Sequence, residues 1–329
     1  MLAKGRIVEL DAFRGIAAIS VLLYHYFKRY DEIYGHEDLP VEWFQHGRIG
    51  VEVFFMISGF VIFMSVERIK KPLDFVVSRF SRLYPVYWAA LIFTFVVVTL
   101  VGLPGRERSF SEFLGNFLMF HGYFDIAHVD GVYWTLRVEL TFYLWILVLM
   151  LTKIIKQIEW PILATYVLNV LVWYEIIQLP LLAHELLLIR WLPLFALGIC
   201  LYRYSNKSFS VLTFITLAST VLILRNFFPK HVFVVSLCFS LLVLLAVNGN
   251  LKFLRSRVMV FFGTISYSLY LIHQNLGYLI IRGGYENGFS PWLSIILAFI
   301  VSVFVAYCLT RFVEKPARNF LMSRYHSKS

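Results

Sequence analysis

Leu10–Tyr26 reads LDAFRGIAAISVLLYHY, a run apolar enough to span a membrane as a helix, yet it carries Asp11, Arg14 and His25. An ionisable side chain at membrane depth is costly, so it turns toward a protein interior or a wet cavity and marks a functional candidate. Arg14 and His25 are eleven residues apart. At about 100° per residue that spacing brings the two to within roughly 20° of one another, about 16 Å apart along the axis. The stretch predicts a helix with a polar track on one face, and such a track needs other helices around it.

The composition supplies them. The chain is 60% hydrophobic and 15% charged, against about 25% charged in soluble domains, and its mean hydropathy is +0.74. Ten apolar segments follow one another, near 9–28, 48–66, 83–101, 133–152, 160–178, 186–203, 209–225, 231–248, 260–281 and 291–312. The pattern predicts an all-α, polytopic integral membrane protein of about ten transmembrane helices, with residues 1–329 as one membrane domain. The net charge of +10 comes mainly from short segments between apolar runs, which speaks for loops on the cytoplasmic side and against nucleic-acid binding. With the N-terminus inside, the inner segments hold Lys4, Arg6, Arg68, Lys70, Lys71, Arg79, Arg82, Lys153, Lys156, Arg203, Lys207, Lys252, Arg255, Arg257 and the tail from Arg311 onward. The first outer segment holds Asp31, Glu32, Glu37, Asp38 and Glu42, so both termini are expected in the cytoplasm and the protein in the cell membrane. The opening run has no small-residue cleavage site, so no cleaved signal peptide is expected. Cys200, Cys238 and Cys308 lie singly in apolar segments and read as small hydrophobes, with no metal site expected.

Two predicted outer loops, 29–47 and 102–132, exceed simple turns, and Ser111–Phe120 has the makings of a short interfacial helix. The second span opens with Glu52 about one turn inside its outer boundary, near the depth of His25. Glu52 is either a carboxylate that orients the imidazole or an interfacial group reaching back to water. Ser58 and Gly59 in the same span read as a site of close helix packing. Arg79 and Arg82, in SRFSRLYP, share a helix face if that stretch is helical. They serve either as topology signals or as guanidinium forks for phosphate, with Pro85 at an early helix position. Trp134 and Glu139 open the fourth span in WTLRVE, with the glutamate about two turns deep and the tryptophan compatible with an interfacial belt. Ser266, Tyr270 and His273 form a polar stripe in the ninth span, and Glu314-Lys315-Pro316 reads as a helix stop.

Taken in order, RGIAAISVLLYH, GVEVFFMISG, RFSRLYP, WTLRVE, SYSLYLIH and VEKPAR resemble the acyltransferase 3 family of integral membrane acyltransferases across nearly the whole chain. The resemblance implies ten spans and transfer of an acyl group from cytoplasmic acyl-CoA, commonly acetyl-CoA, to hydroxyls on sugars or other acceptors. It places the family's essential arginine and histidine on Arg14 and His25, and its paired arginines on Arg79 and Arg82. Larger members carry a further hydrolase-like domain, whereas these 329 residues are expected to act as a stand-alone membrane domain.

On this reading Arg79 and Arg82 hold the CoA phosphates, Arg14 helps position the donor arm, and His25 takes the proton of the acceptor hydroxyl. Glu52 or Glu139 orients His25, while His273, Tyr270 and Trp134 line the acceptor side. No permanently bound cofactor is expected; the partners are acyl-CoA, the bilayer, and a cell-surface polysaccharide or lipid-linked oligosaccharide. The rival class is a transporter of such glycans, for which intramembrane charges are equally needed.

Overall fold

The computed structural model describes residues 7–36, 39–69 and 71–327. Lys4, Arg6, Glu37, Asp38 and Lys70, read above for charge asymmetry, lie outside the described residues. The described chain is helical, and its helices of ten residues or more are α1 (Val8–Tyr24), α2 (Gly50–Val66), α3 (Pro72–Val101), α4 (Trp134–Leu151), α5 (Glu159–Trp173), α6 (Leu192–Ser205), α7 (Val211–Phe227), α8 (Lys230–Val247), α9 (Arg257–Glu286), α10 (Pro291–Leu309) and α11 (Lys315–His326). Each of the ten apolar segments overlaps one of α1 to α10. Five stretches among the described residues are long and apolar enough to cross a membrane: Val41–Val66, Pro72–Val101, Gly131–Leu151, Lys230–Val247 and Pro291–His326. Helices α6 and α7 are shorter apolar helices. The protein is a multi-pass membrane protein.

The helix ends follow local chemistry. Ser109 and Glu112 form a reciprocal capping box at the start of a short helix, Phe110–Asn116. Ser210 and Ser290 each accept a backbone N–H at the start of α7 and α10, and Pro291 follows in the first turn. Two expectations are corrected. Pro85 lies inside α3, which begins at Pro72 and runs thirty residues; a proline costs one intrahelical bond, and the apolar run on both sides outweighs it. Glu314 does not stop the chain but closes a π-helical turn, Thr310–Glu314, after which Pro316 sits in the first turn of α11.

The chain divides into two compact units. The first comprises residues 1–12, 51–75 and 138–256. Its α2 and α6 meet backbone to backbone through two glycines. A Cβ on Gly59 would strike the Phe195 carbonyl, and one on Gly198 would strike that of Met56. Phe195 stacks on Phe142 at 4.1 Å, and α7 packs on α5, α6 and α8. Cys200 is buried here, but Cys238 is exposed on α8, where a thiol is apolar enough for a lipid-facing side.

The second unit comprises residues 13–50, 76–137 and 257–329. Its most extensive packing joins α9 to α10, and α10 is patterned inside out relative to a soluble helix. Ser294, Ala298, Ser302 and Ala306, four residues apart, are buried, whereas Ile296, Ile300 and Phe304 are exposed. In lipid the small face allows close backbone approach and the bulky face meets acyl chains. Gly15 of α1 abuts α9: a Cβ there would lie 2.7 Å from the Gly263 amide nitrogen.

Candidate active site

Ten residues beyond the Gly15–Gly263 contact on both helices, His25 meets His273: their rings lie 4.9 Å apart, edge to face. Equal offsets on the two helices mean that α1 and α9 run parallel, a span of about 15 Å at helical rise. His25 is the first residue of a π-helical turn, His25–Arg29, that directly continues α1. Such turns are rare and concentrate at functional sites. The turn has identifiable supports. Tyr26, fully buried, donates to the carbonyl of His273 at 3.0 Å, and its hydroxyl also lies 2.7 Å from Ser302 Oγ. Gly277 makes room for the Tyr26 ring, since a Cβ there would collide with it. His36 Nε2 lies 2.8 Å from the Tyr26 carbonyl, and its Nδ1 is within hydrogen-bond distance of the Tyr285 hydroxyl.

The histidines differ in access. His25 is half-buried, whereas His273 has no exposed surface. His25 Nδ1 lies 2.8 Å from the Val21 carbonyl and 3.2 Å from His273 Nε2. His273 Nδ1 lies 2.9 Å from the Tyr270 carbonyl and 3.1 Å from that of Leu269.

Arg14, half-buried on α1, adjoins the Gly15 contact. Arg79 and Arg82 are half-buried, three residues apart on α3, with Arg79 Nη2 3.3 Å from Ser78 Oγ. Tyr270 is buried and directs its hydroxyl to Thr135 Oγ1 at 2.8 Å and to the Val132 carbonyl at 3.3 Å, so it holds the start of α4. Trp134, the first residue of α4, is half-buried. Arg14, His25, Arg79, Arg82, Trp134, Tyr270 and His273 thus all belong to the second unit, and Glu52 and Glu139 to the first. Glu52 is half-buried in the first turn of α2. The Glu139 carboxylate accepts from the Tyr143 hydroxyl at 2.5 Å and from Ser58 Oγ at 3.2 Å, which ties α4 to α2.

The 102–132 segment is ordered by side chains that sequence reading passed over. Asp130, fully buried, accepts from the backbone N–H groups of Val132 and Asn275, and Asn275 Nδ2 donates to the Val129 carbonyl. Burial lifts the Asp130 carboxyl to about 6, against the pull of those two N–H groups. Asn116 bridges the carbonyls of Glu112 and Ala127 and accepts from Val129 N–H. His121 and His128 face each other at 2.6 Å. Burial first, then the neighbouring histidine and Arg137, lowers His121 to about 3; burial, Arg137 and Arg108 lower His128 to about 4. Arg137 donates to the Gly122 carbonyl and lies over the Tyr123 ring. In the same segment Tyr34 fastens the Pro104 carbonyl at 2.9 Å, and Arg106 lies 5.7 Å from the centre of the Tyr278 ring. A signal for this order in the sequence was Asp130-Gly131, a side-chain acceptor ahead of a turn. Among the described residues no group of three or more His, Cys, Asp or Glu is placed to hold a metal ion.

The described structure is that of a polytopic helical membrane protein with an imidazole pair and several arginines in its second unit. The profile of the acyltransferase 3 family, described as an acyltransferase domain, matches residues 7–311. The chain belongs to that family and is an acyltransferase. It is 25% identical over 289 residues, covering 82% of each chain, to ORF330 of Acidianus two-tailed virus, a protein whose name provisionally assigns an acetyltransferase. It is 32% identical over 118 residues to the exopolysaccharide production protein ExoZ of Rhizobium meliloti (strain 1021), covering 30% of this chain and 33% of that protein. A third relative, protein 2 in the picA locus of Rhizobium radiobacter, is 31% identical over 107 residues, covering 30% of this chain and 51% of its own. No solved structure matches the chain.

Proposed function

We propose that this acyltransferase moves an acetyl group from cytoplasmic acetyl-CoA to a hydroxyl of a cell-surface polysaccharide or lipid-linked glycan, with His25 as general base. The observation that carries the reading is the half-accessible imidazole of His25, held by named hydrogen bonds at the junction of α1 and a π-helical turn. A neutral alcohol is a poor nucleophile, whereas a thioester is already activated, so proton removal is the help the reaction needs. His25 takes the acceptor proton as the oxygen attacks the thioester carbonyl. The tetrahedral intermediate collapses with loss of the CoA thiolate, which regains a proton, leaving an ester and free CoA. Arg79 and Arg82, one turn apart on α3, suit the phosphates of the donor, and Arg14 lies on the helix that presents the base. Membership of the acyltransferase family and a relative named for exopolysaccharide production support the acceptor class.

The test is transfer of labelled acetyl from CoA by purified protein in lipid nanodiscs, paired with NMR of surface glycans from cells with and without the gene. Loss of ester-linked acetyl groups and absence of transfer by His25→Ala are expected. Glycan movement without acyl transfer, or full transfer by His25→Ala, would overturn the reading.

A further inference from the structure

We infer that His273 is a positioning residue that fixes the ring tautomer of His25, so that His25 Nε2 is the atom that removes the acceptor proton; the inference rests on the acyl-transfer reading above. The argument is one of donors and acceptors. The two groups nearest His273 Nδ1 are the carbonyls of Tyr270 and Leu269, at 2.9 and 3.1 Å, and a carbonyl only accepts. His273 Nδ1 therefore carries a hydrogen, and in the neutral ring its Nε2 presents a lone pair. That lone pair faces His25 Nδ1 at 3.2 Å, and the other neighbour of the same nitrogen is the Val21 carbonyl at 2.8 Å. Both neighbours of His25 Nδ1 are acceptors, so the hydrogen of neutral His25 sits there, shared between them. Its Nε2 is left bare, on a residue that retains exposed surface.

The order of groups is that of a hydrolase triad in which a carboxylate holds the base, with a second imidazole in the carboxylate's place. A neutral imidazole orients without adding charge to a membrane interior, where an unpaired carboxylate would be costly. Once His25 has taken the proton at Nε2, the Nδ1–H bond to His273 helps spread the positive charge. The clamp on His273 comes from the residue next to the base. Tyr26 holds the His273 carbonyl, so both rings follow any movement of the π turn together. The other charged and titratable groups facing the pair are Arg29 of the π turn and Arg106 of the loop after α3, with the rings of Tyr24, Tyr26 and Tyr270. Complete burial suits His273 to a supporting role behind the base.

The experiment has two arms, both on the intact protein in nanodiscs. The first is 15N NMR of histidine-labelled protein, with His25→Asn used to assign the signal. A protonated Nδ1 and bare Nε2 on His25 are expected, and the reverse tautomer overturns the inference without reference to activity. The second compares His273→Leu with His273→Gln, whose amide oxygen restores an acceptor. His273→Leu is expected to lower kcat on the order of 10²-fold with KM for both substrates unchanged, and His273→Gln to recover most of the loss. Equal losses in both variants, or a raised acceptor KM with kcat intact, would overturn it. Transfer that survives in His25→Ala would instead sink the general-base reading, and the NMR arm would still stand alone.

Discussion

The two compact units treat buried polar groups in different ways. In the first, Glu159 is buried against Arg203 at 3.2 Å, receives the Thr213 hydroxyl at 3.0 Å, and leaves Arg203 to donate to the Lys156 carbonyl. Glu139 is likewise held by two hydroxyls. In these clusters the carboxylates are held by an opposite charge or by hydroxyls of neighbouring helices. In the second unit the polar centre is a pair of imidazoles, one half-accessible and the other closed off, with half-buried arginines on α1 and α3. On the proposed function, the contrast sets polar groups that tie helices together beside the imidazole pair assigned to the chemistry.

The contrast is most severely tested at the two centres. His25→Ala is expected to reduce acyl transfer by 10²- to 10⁴-fold, the usual worth of a positioned general base. Its unfolding temperature should stay near wild type, read by fluorescence-monitored melting in the same nanodiscs. Glu159→Ala should do the reverse, because removing one partner of a buried pair costs about 3–5 kcal/mol. That variant should melt early, and its folded fraction should keep a normal kcat. If Glu159→Ala instead lost turnover at full stability, the division between the units would fail.

A middle-sized effect is expected at the arginines. Arg79→Gln or Arg82→Gln should raise KM for acetyl-CoA about tenfold, the loss of one charge-assisted contact, and flatten its dependence on salt. An unchanged KM would return both residues to the role of topology signals. The glycine contacts sharpen the comparison further. Gly15→Val should force α1 from α9 and depress both stability and kcat, while Gly59→Val in the first unit should depress stability alone.

The most gradual effect is a pH dependence. His36, His121 and His128 lie in the loops and are held neutral, mainly by burial. Their folded-state pKa values fall below the unfolded value, so the unfolded chain binds more protons as pH drops below about 6.5. Stability should decline from that point downward, by at most about 1.4 kcal/mol per pH unit for each group. Asp130, raised to about 6, works the other way: its contribution is complete below the unfolded carboxylate value and lost as pH rises through 6. The histidines outnumber it, so net acid destabilisation is expected, and His121→Asn should lessen the slope of the acid limb in a melting series.

Much of this was legible in the sequence because lipid imposes strong patterns. Every apolar segment became a helix, and Arg14 and His25 stood out because a bilayer tolerates few such groups. The rest depended on partners far along the chain. His25 and His273 are 248 residues apart, and nothing in SYSLYLIH says which helix its histidine will meet. The short helix at Phe110–Asn116 overlaps the stretch marked for one, Ser111–Phe120, with a capping box that was there to be seen in Ser109 and Glu112. Pro85 and Glu314 misled because local rules for helix ends were outweighed by apolar context on α3 and by a π turn after α10. Asp130 and Asn275 were passed over because a buried carboxylate satisfied by two backbone N–H groups looks, in one dimension, like any loop aspartate.

The widened turn after α1 stores one residue more than regular winding would use. An α-helix closes each ring one residue sooner, so excising Arg29 would let the rod relax to regular winding. Four residues at about 100° each turn nearly as far as the five of the wider turn, so the helix beyond would keep its heading. His25 would keep its bearing on Val21 and His36 its place by the Tyr26 carbonyl, while the Arg29–Glu32 ion pair would be lost. The five-residue turn is thus slack held within one continuous rod, an extra residue absorbed without re-aiming what lies on either side.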